Sequence, residues 1–105
     1  MKTDKYEMIF CIVNAGFAIE AMEVAKKAGA TGGTILRARG TANPEAEEFY
    51  DIPIQSDKEI LWLIVPKEIK DDIMHKLYQD AGLATTSKGI AFSLPVTNAV
   101  GLHDE

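Results

Sequence analysis

Two arginines, Arg37 and Arg39, and a short polar run, Thr85, Thr86, Ser87, Lys88 and Gly89, carry most of the binding chemistry this sequence can offer. The arginines stand two apart in an alternating run, TILRAR, so on a strand they share a face. Two guanidiniums on one face can hold an anion, although a solvated face or salt bridges to a neighbouring subunit is the commoner use of such residues. The run TTSKG supplies hydroxyls, one ammonium and the free amides near Gly89, which together can cradle a phosphate as a backbone nest. It lacks a complete P-loop, and an ordinary surface turn accounts for it equally well. His103, or Arg37 from the same or a neighbouring chain, can supply a second positive charge there.

Other reactive groups are sparse. Cys11 is the single cysteine and cannot form an internal disulfide; its place in an apolar run predicts a buried, inert thiol. His75 and His103 have no ligand-like neighbours in sequence, so no metal site is expected. No paired carboxylates, Ser–His pairing or activated cysteine can be read from the spacing, and no catalytic residue is assigned. Sixteen acids against eleven Lys and Arg leave a net charge of -5, which repels a phosphate backbone and argues against nucleic acid as a partner. The longest apolar runs, 8–13 and 60–65, are far short of the roughly twenty residues that cross a bilayer. The first residues lack a signal-peptide core, and the cytoplasm is the expected location.

The chain has 105 residues, the size of one domain spanning 1–105. The stretch 29–41, GATGGTILRARGT, organises its elements. Gly29 can end a helix in the left-handed conformation, and Gly32 and Gly33 permit a tight turn. Before it come a strand over 6–13, apolar on both faces from Met8 onward, and a helix over 17–28 with Asn14 as its N-cap. Ala18, Ala21, Met22, Ala25 and Ala28 form a small-residue stripe suited to close packing on a sheet. The strand 34–39 follows the turn.

Residues 41–57, TANPEAEEFYDIPIQSD, hold two prolines, five acids and no base. That is too long for a tight hairpin and fits a functional loop. Phe49 and Tyr50 are its candidate anchors for a partner protein. A second doubly apolar strand spans 58–65, Pro66 enters the first turn of a helix over 67–81, and Gly82 caps it. Ile69, Ile73, Leu77 and Ala81 face the core. A last strand spans 89–96, with Pro95 placing its end at an edge or bulge.

The order βαββαβ predicts an α+β, ferredoxin-like fold: a four-stranded antiparallel sheet with both helices on one face. The other face stays open. Two strands that are apolar throughout cannot leave one side in water, so this face, with Ile12 and Leu63 expected on it, should be hidden by oligomerisation.

In this arrangement the chain resembles the nitrogen-regulatory PII signal-transduction proteins over nearly all of 6–96. GATGGT is similar to the family's G-x-x-G-x-T turn and ILRARG to its T-x-x-x-K-G strand ending. EILWLIVP is similar to its I-E-I-V-V-P third strand, and SKGIAFSLPV to its G-D-G-K-I-F-V-F-D-V loop and strand. The resemblance implies a cytoplasmic homotrimer that binds an adenine nucleotide (ATP, ADP or AMP) between subunits and signals to a transporter or enzyme through the loop after the second strand. It assigns Thr34 to the adenine side, Gly40 to the base of the signalling loop and Gly89 to the phosphate loop. With the residue-level reading, the candidate effector site is Thr34, Arg37, Gly40, Ser87, Lys88, Gly89 and His103. Departures are visible. Lys88 precedes the glycine that the family's lysine follows, Trp62 replaces an acid in the third strand, and Gly101 and His103 stand where the family has arginines.

The alternative from another class is a small phosphate-hydrolysing enzyme of acylphosphatase type on the same fold, with Arg37 or Arg39 and Asn43 as its anion cradle and water-orienting residue. A trimeric metal-tolerance protein of related fold lacks a convincing ligand set.

Overall fold

The computed structural model describes residues 2–40, 57–81 and 89–102. Its elements run β1 (Tyr6–Asn14), α1 (Ala18–Lys27), β2 (Thr34–Arg39), β3 (Asp57–Pro66), α2 (Lys67–Asp80) and β4 (Gly89–Pro95). The four strands form one sheet in the order β2-β3-β1-β4, and every neighbouring pair is antiparallel. This is the ferredoxin-like α+β arrangement expected from the element order. The two doubly apolar runs are the two central strands, and the alternating run that carries the arginines is an edge. Pro95 ends β4 at the other edge, where a missing backbone donor is tolerated.

The core lies between the sheet and the helices. Ile9, Cys11 and Val13 of β1 and Leu61, Leu63 and Val65 of β3 alternate toward the helices and are fully buried or nearly so. Against them α1 presents Ala18, Ala21 and Ala25, while α2 presents Ile73 and Leu77. The alanines let α1 lie close to the strands, and the larger side chains of α2 fill the remaining depth. Gly33 belongs to the same close packing. A Cβ there would approach Met22 Sδ at 3.0 Å and the Trp62 carbonyl oxygen at 3.1 Å.

The opposite pleat face is also apolar but carries no helix. Registers across the sheet align Leu36, Ile60, Ile12 and Ile90 in one row and Thr34, Trp62, Phe10 and Phe92 in the next; Ile64, Met8 and Leu94 follow. Phe10 stacks on Trp62 and on Phe92, each at 5.4 Å between ring centroids and within about 20° of parallel. α1 lies over β1 and β3, and α2 lies over β1, β3 and the β4 edge. Both Ile35 and Leu36, on opposite faces of β2, are exposed.

Several local expectations change. Leu63 lies in the helix-covered core, not on the open face, because β3 pairs Leu63 with the buried Ile9. Asn14 does not cap α1 with its side chain. Phe17 is the N-cap residue and makes no side-chain capping bond. Pro66 precedes the first turn of α2 instead of entering it, with φ -58° and ψ 140°. Gly29, by contrast, is left-handed at φ 116° just past the end of α1, as expected. Gly82, and nearly all of the 41–57 loop with Phe49 and Tyr50, lie outside the described residues. Among the described residues no helix is long and apolar enough to cross a membrane.

Two predictions follow from the core. Leu77→Ala removes a fully buried side chain between α2 and the sheet and should lower unfolding free energy by about 2–5 kcal/mol in denaturant titrations. Burial raises the Cys11 thiol from its ordinary value of 9.0 to about 11, so the folded state holds its proton more tightly than the unfolded chain. Its contribution to stability is therefore complete below pH 9 and is lost as the pH rises toward 11. Cys11 should resist thiol reagents at pH 8 in the native protein and react at once in denaturant.

Candidate functional site

The end of the sheet where β2 stops and β3 begins gathers the charged groups. Cross-strand registers place Arg37 opposite Glu59, Arg39 opposite Asp57, and Ala38 opposite Lys58. Arg39 reaches Asp57 at 3.7 Å, with both side chains largely in solvent, so this pair contributes little to stability. Lys58 is fixed differently. Its Nζ donates to Asn14 Oδ1 at 2.6 Å, tying β3 to the end of β1. A shallow cavity runs between these groups and the turn at Ala15 and Gly16. Its walls hold Arg37, Arg39 and Lys58 against Asp57 and Glu59, an excess of one positive charge in a chain that is negative overall.

Glu59 is the residue that organises this end. Its Oε1 accepts from the Gly16 amide at 2.9 Å and from the Ala18 amide at 3.1 Å. One carboxylate therefore satisfies two donors at the start of α1, where the helix dipole also favours negative charge. It replaces the local cap that the sequence pattern predicts at Asn14. The interaction spans 41 to 43 residues, and no local signal in the sequence reveals it.

The candidate effector residues that the structure describes, Thr34, Arg37, Gly40 and Gly89, do not converge within one chain. Arg37 and Gly40 lie at the charged end of β2. Thr34 lies three positions earlier on the same strand but on the opposite pleat face, in the row of Trp62. Gly89 begins β4, at the far edge of the sheet, in the row Arg37, Glu59, Val13 and Gly89. Two strands separate it from Arg37, on the order of 14 Å at the usual interstrand spacing. Gly89 has its own structural reason to be glycine. Its φ is 138°, and a Cβ would collide with the Ile12 carbonyl oxygen. Ser87, Lys88 and His103 lie outside the described residues. A second recess, on the open face, is lined by Gly32, Gly33, Thr34, Trp62 and Ile64. Among the described residues no group of three or more His, Cys, Asp or Glu side chains is placed to hold a metal ion.

The sequence matches no protein-family model and no curated protein. Solved structures do match. A CPII protein from Thiomonas intermedia, bound to ADP, AMP and acetate, superposes with a TM-score of 0.70 at 14% identity, covering 95% of this chain and 94% of its own. A putative PII-like signalling protein from Thermus thermophilus gives 0.68 at 21% identity, covering 91% and 90%. The chain has the PII fold. CutA from Synechococcus elongatus also superposes, at 0.70 and 10% identity over 92% of this chain and 81% of its own, so the PII fold by itself does not decide the activity.

Glu59→Ala leaves the two amides at the start of α1 without their partner and should cost about 1–2 kcal/mol. Glu59→Gln retains an acceptor oxygen and should lose less. Thermal unfolding of the three proteins side by side checks the order.

Proposed function

We propose that the protein is a divergent PII-like regulator, a single 1–105 domain that assembles as a homotrimer and binds a small anionic effector, an adenine nucleotide, between subunits. The observation that carries the reading is the placement of the candidate residues on opposite edges of one sheet. Thr34 and Arg37 belong to β2, Gly40 directly follows it, and Gly89 belongs to β4. A site built from both edges closes only when the β2 edge of one copy meets the β4 edge of another. The apolar open face supplies the driving force for that meeting, since Phe92, Leu94, Ile90 and Leu36 remain 39–58% exposed on the isolated chain.

In the assembled site the Ser87, Lys88 and Gly89 segment and His103 would face the phosphates, and Arg37 would add the second positive charge. ADP and AMP in the Thiomonas CPII protein support an adenine nucleotide as the first ligand to try. The loop 41–57 would carry the output, with Phe49 and Tyr50 as anchors on a transporter or enzyme and its acids complementary to a basic surface. The cytoplasm is the compartment in which such signalling would occur. The enzymatic alternative rests on fold analogy, and of its residues Asn43 lies outside the described part of the chain.

ATP, ADP and AMP at millimolar concentration should raise the melting temperature, by an amount that grows with ligand concentration. Absence of any shift with all three overturns the effector reading. Light scattering should give three chains per particle, and Ile12→Asp, which puts a charge on the open face, should shift the population to smaller species. Removing residues 43–54 with a short bridging turn should leave assembly and nucleotide binding in place while abolishing capture of the target protein.

A further inference from the structure

The row Phe92, Phe10 and Trp62 is a ladder of three near-parallel rings running across the open face, and it ends at Trp62. The next position in the row is Thr34 on β2, which carries no ring. Among the described residues the indole therefore has a ring neighbour on one side only. At that unpaired side the chain leaves space: Gly32, Gly33, Thr34 and Ile64 line a recess with Trp62, and a Cβ added at Gly32 would meet nothing within 4 Å. Trp62 is 36% exposed.

We propose that the outer face of the Trp62 indole is a stacking surface for a planar heteroaromatic ring, which would enter above Thr34 as the fourth member of the ladder. The spacing fits, because successive strands are about 4.8 Å apart and stacked rings occupy nearly the same distance. The surroundings select a heterocycle over a plain hydrocarbon ring. Among the described residues β2 is an edge strand with β3 as its single ladder neighbour, so alternate backbone N–H and C=O groups along its outer side have no strand partner there, and the Thr34 hydroxyl can both donate and accept. A ring edge bearing donors and acceptors, as in a purine, can use these groups.

The identity of the ring as adenine rests on the effector reading above; the stacking surface does not. Trp62 is the only tryptophan, so its emission reports this position alone.

The test titrates the full chain with adenosine, ATP and inorganic tripolyphosphate, following Trp62 emission and, in parallel, heat of binding. Adenosine and ATP should quench the emission saturably, and tripolyphosphate should not. Trp62→Ile, a strand-compatible change, should weaken ATP binding about tenfold, the size of one base–aromatic stack, while Trp62→Phe retains most of the affinity. Calorimetric ATP binding with unchanged emission and with unchanged affinity in Trp62→Ile overturns the stacking surface and leaves the effector reading standing. Quenching by adenosine with no gain in affinity from the triphosphate supports the stacking surface and overturns the anionic effector. Emission that is blue-shifted, closed to acrylamide and unmoved by any nucleoside shows the indole covered by a second copy of the chain, and overturns the proposal.

Discussion

The physical constraint on which this molecule depends is a mismatch between apolar surface and cover. β1 and β3 carry apolar side chains on both pleat faces, yet the chain has two helices and both lie on one side. Burying Ile9, Cys11, Val13, Leu61, Leu63 and Val65 beneath α1 and α2 accounts for the core. It leaves the alternate set, Met8, Phe10, Ile12, Ile60, Trp62 and Ile64, for another surface. Burial of apolar area is worth about 25 cal/mol for each Å² removed from water, so a face of this extent favours association over exposure.

The same topology explains why a ligand site is hard to see in one copy. Central strands are committed to packing, and the edges hold the residues free to recognise something else. β2 presents Thr34 to the open face and Arg37 and Arg39 to the other, while β4 begins at Gly89 two strands away. Charge follows this division. The helix-side core contains no buried polar or charged residue among those described, and the cavity with a positive excess sits at the end of the sheet. Glu59 links the two parts. By holding the Gly16 and Ala18 amides it fixes where α1 starts, and by its position in β3 it stands opposite Arg37. A side chain at the charged end thus also sets the geometry of the helix that covers the core.

Fold class was legible in the sequence because its signals are local. Alternation in TILRAR, the doubly apolar runs around Phe10 and Trp62, the alanine stripe of α1 and the Ile73–Leu77 spacing of α2 each depend on neighbours within one element. The strand and helix bounds agree with those patterns to within a residue or two. Hydrophobicity alone could not tell the two faces of a doubly apolar strand apart. Ile12 and Leu63 read alike, and only the register that pairs Leu63 with Ile9 puts one in the core and leaves the other outside.

The site divides in the same way. Residue types announced anion chemistry at Arg37, Arg39 and the TTSKG run, since charge and hydroxyl content are properties of composition. Partners were another matter. Arg39 with Asp57, Lys58 with Asn14 and Glu59 with the start of α1 are decided by strand pairing, and two of these three join groups more than 40 residues apart. The stacking of Phe10 between Trp62 and Phe92 likewise exists only once β3 and β4 flank β1 in one register. The sequence by itself determined the elements, their apolar faces and the inventory of charge. Tertiary structure alone decided which face is covered, which edges are free and which distant groups meet, because each of these depends on contacts between elements that no local pattern encodes.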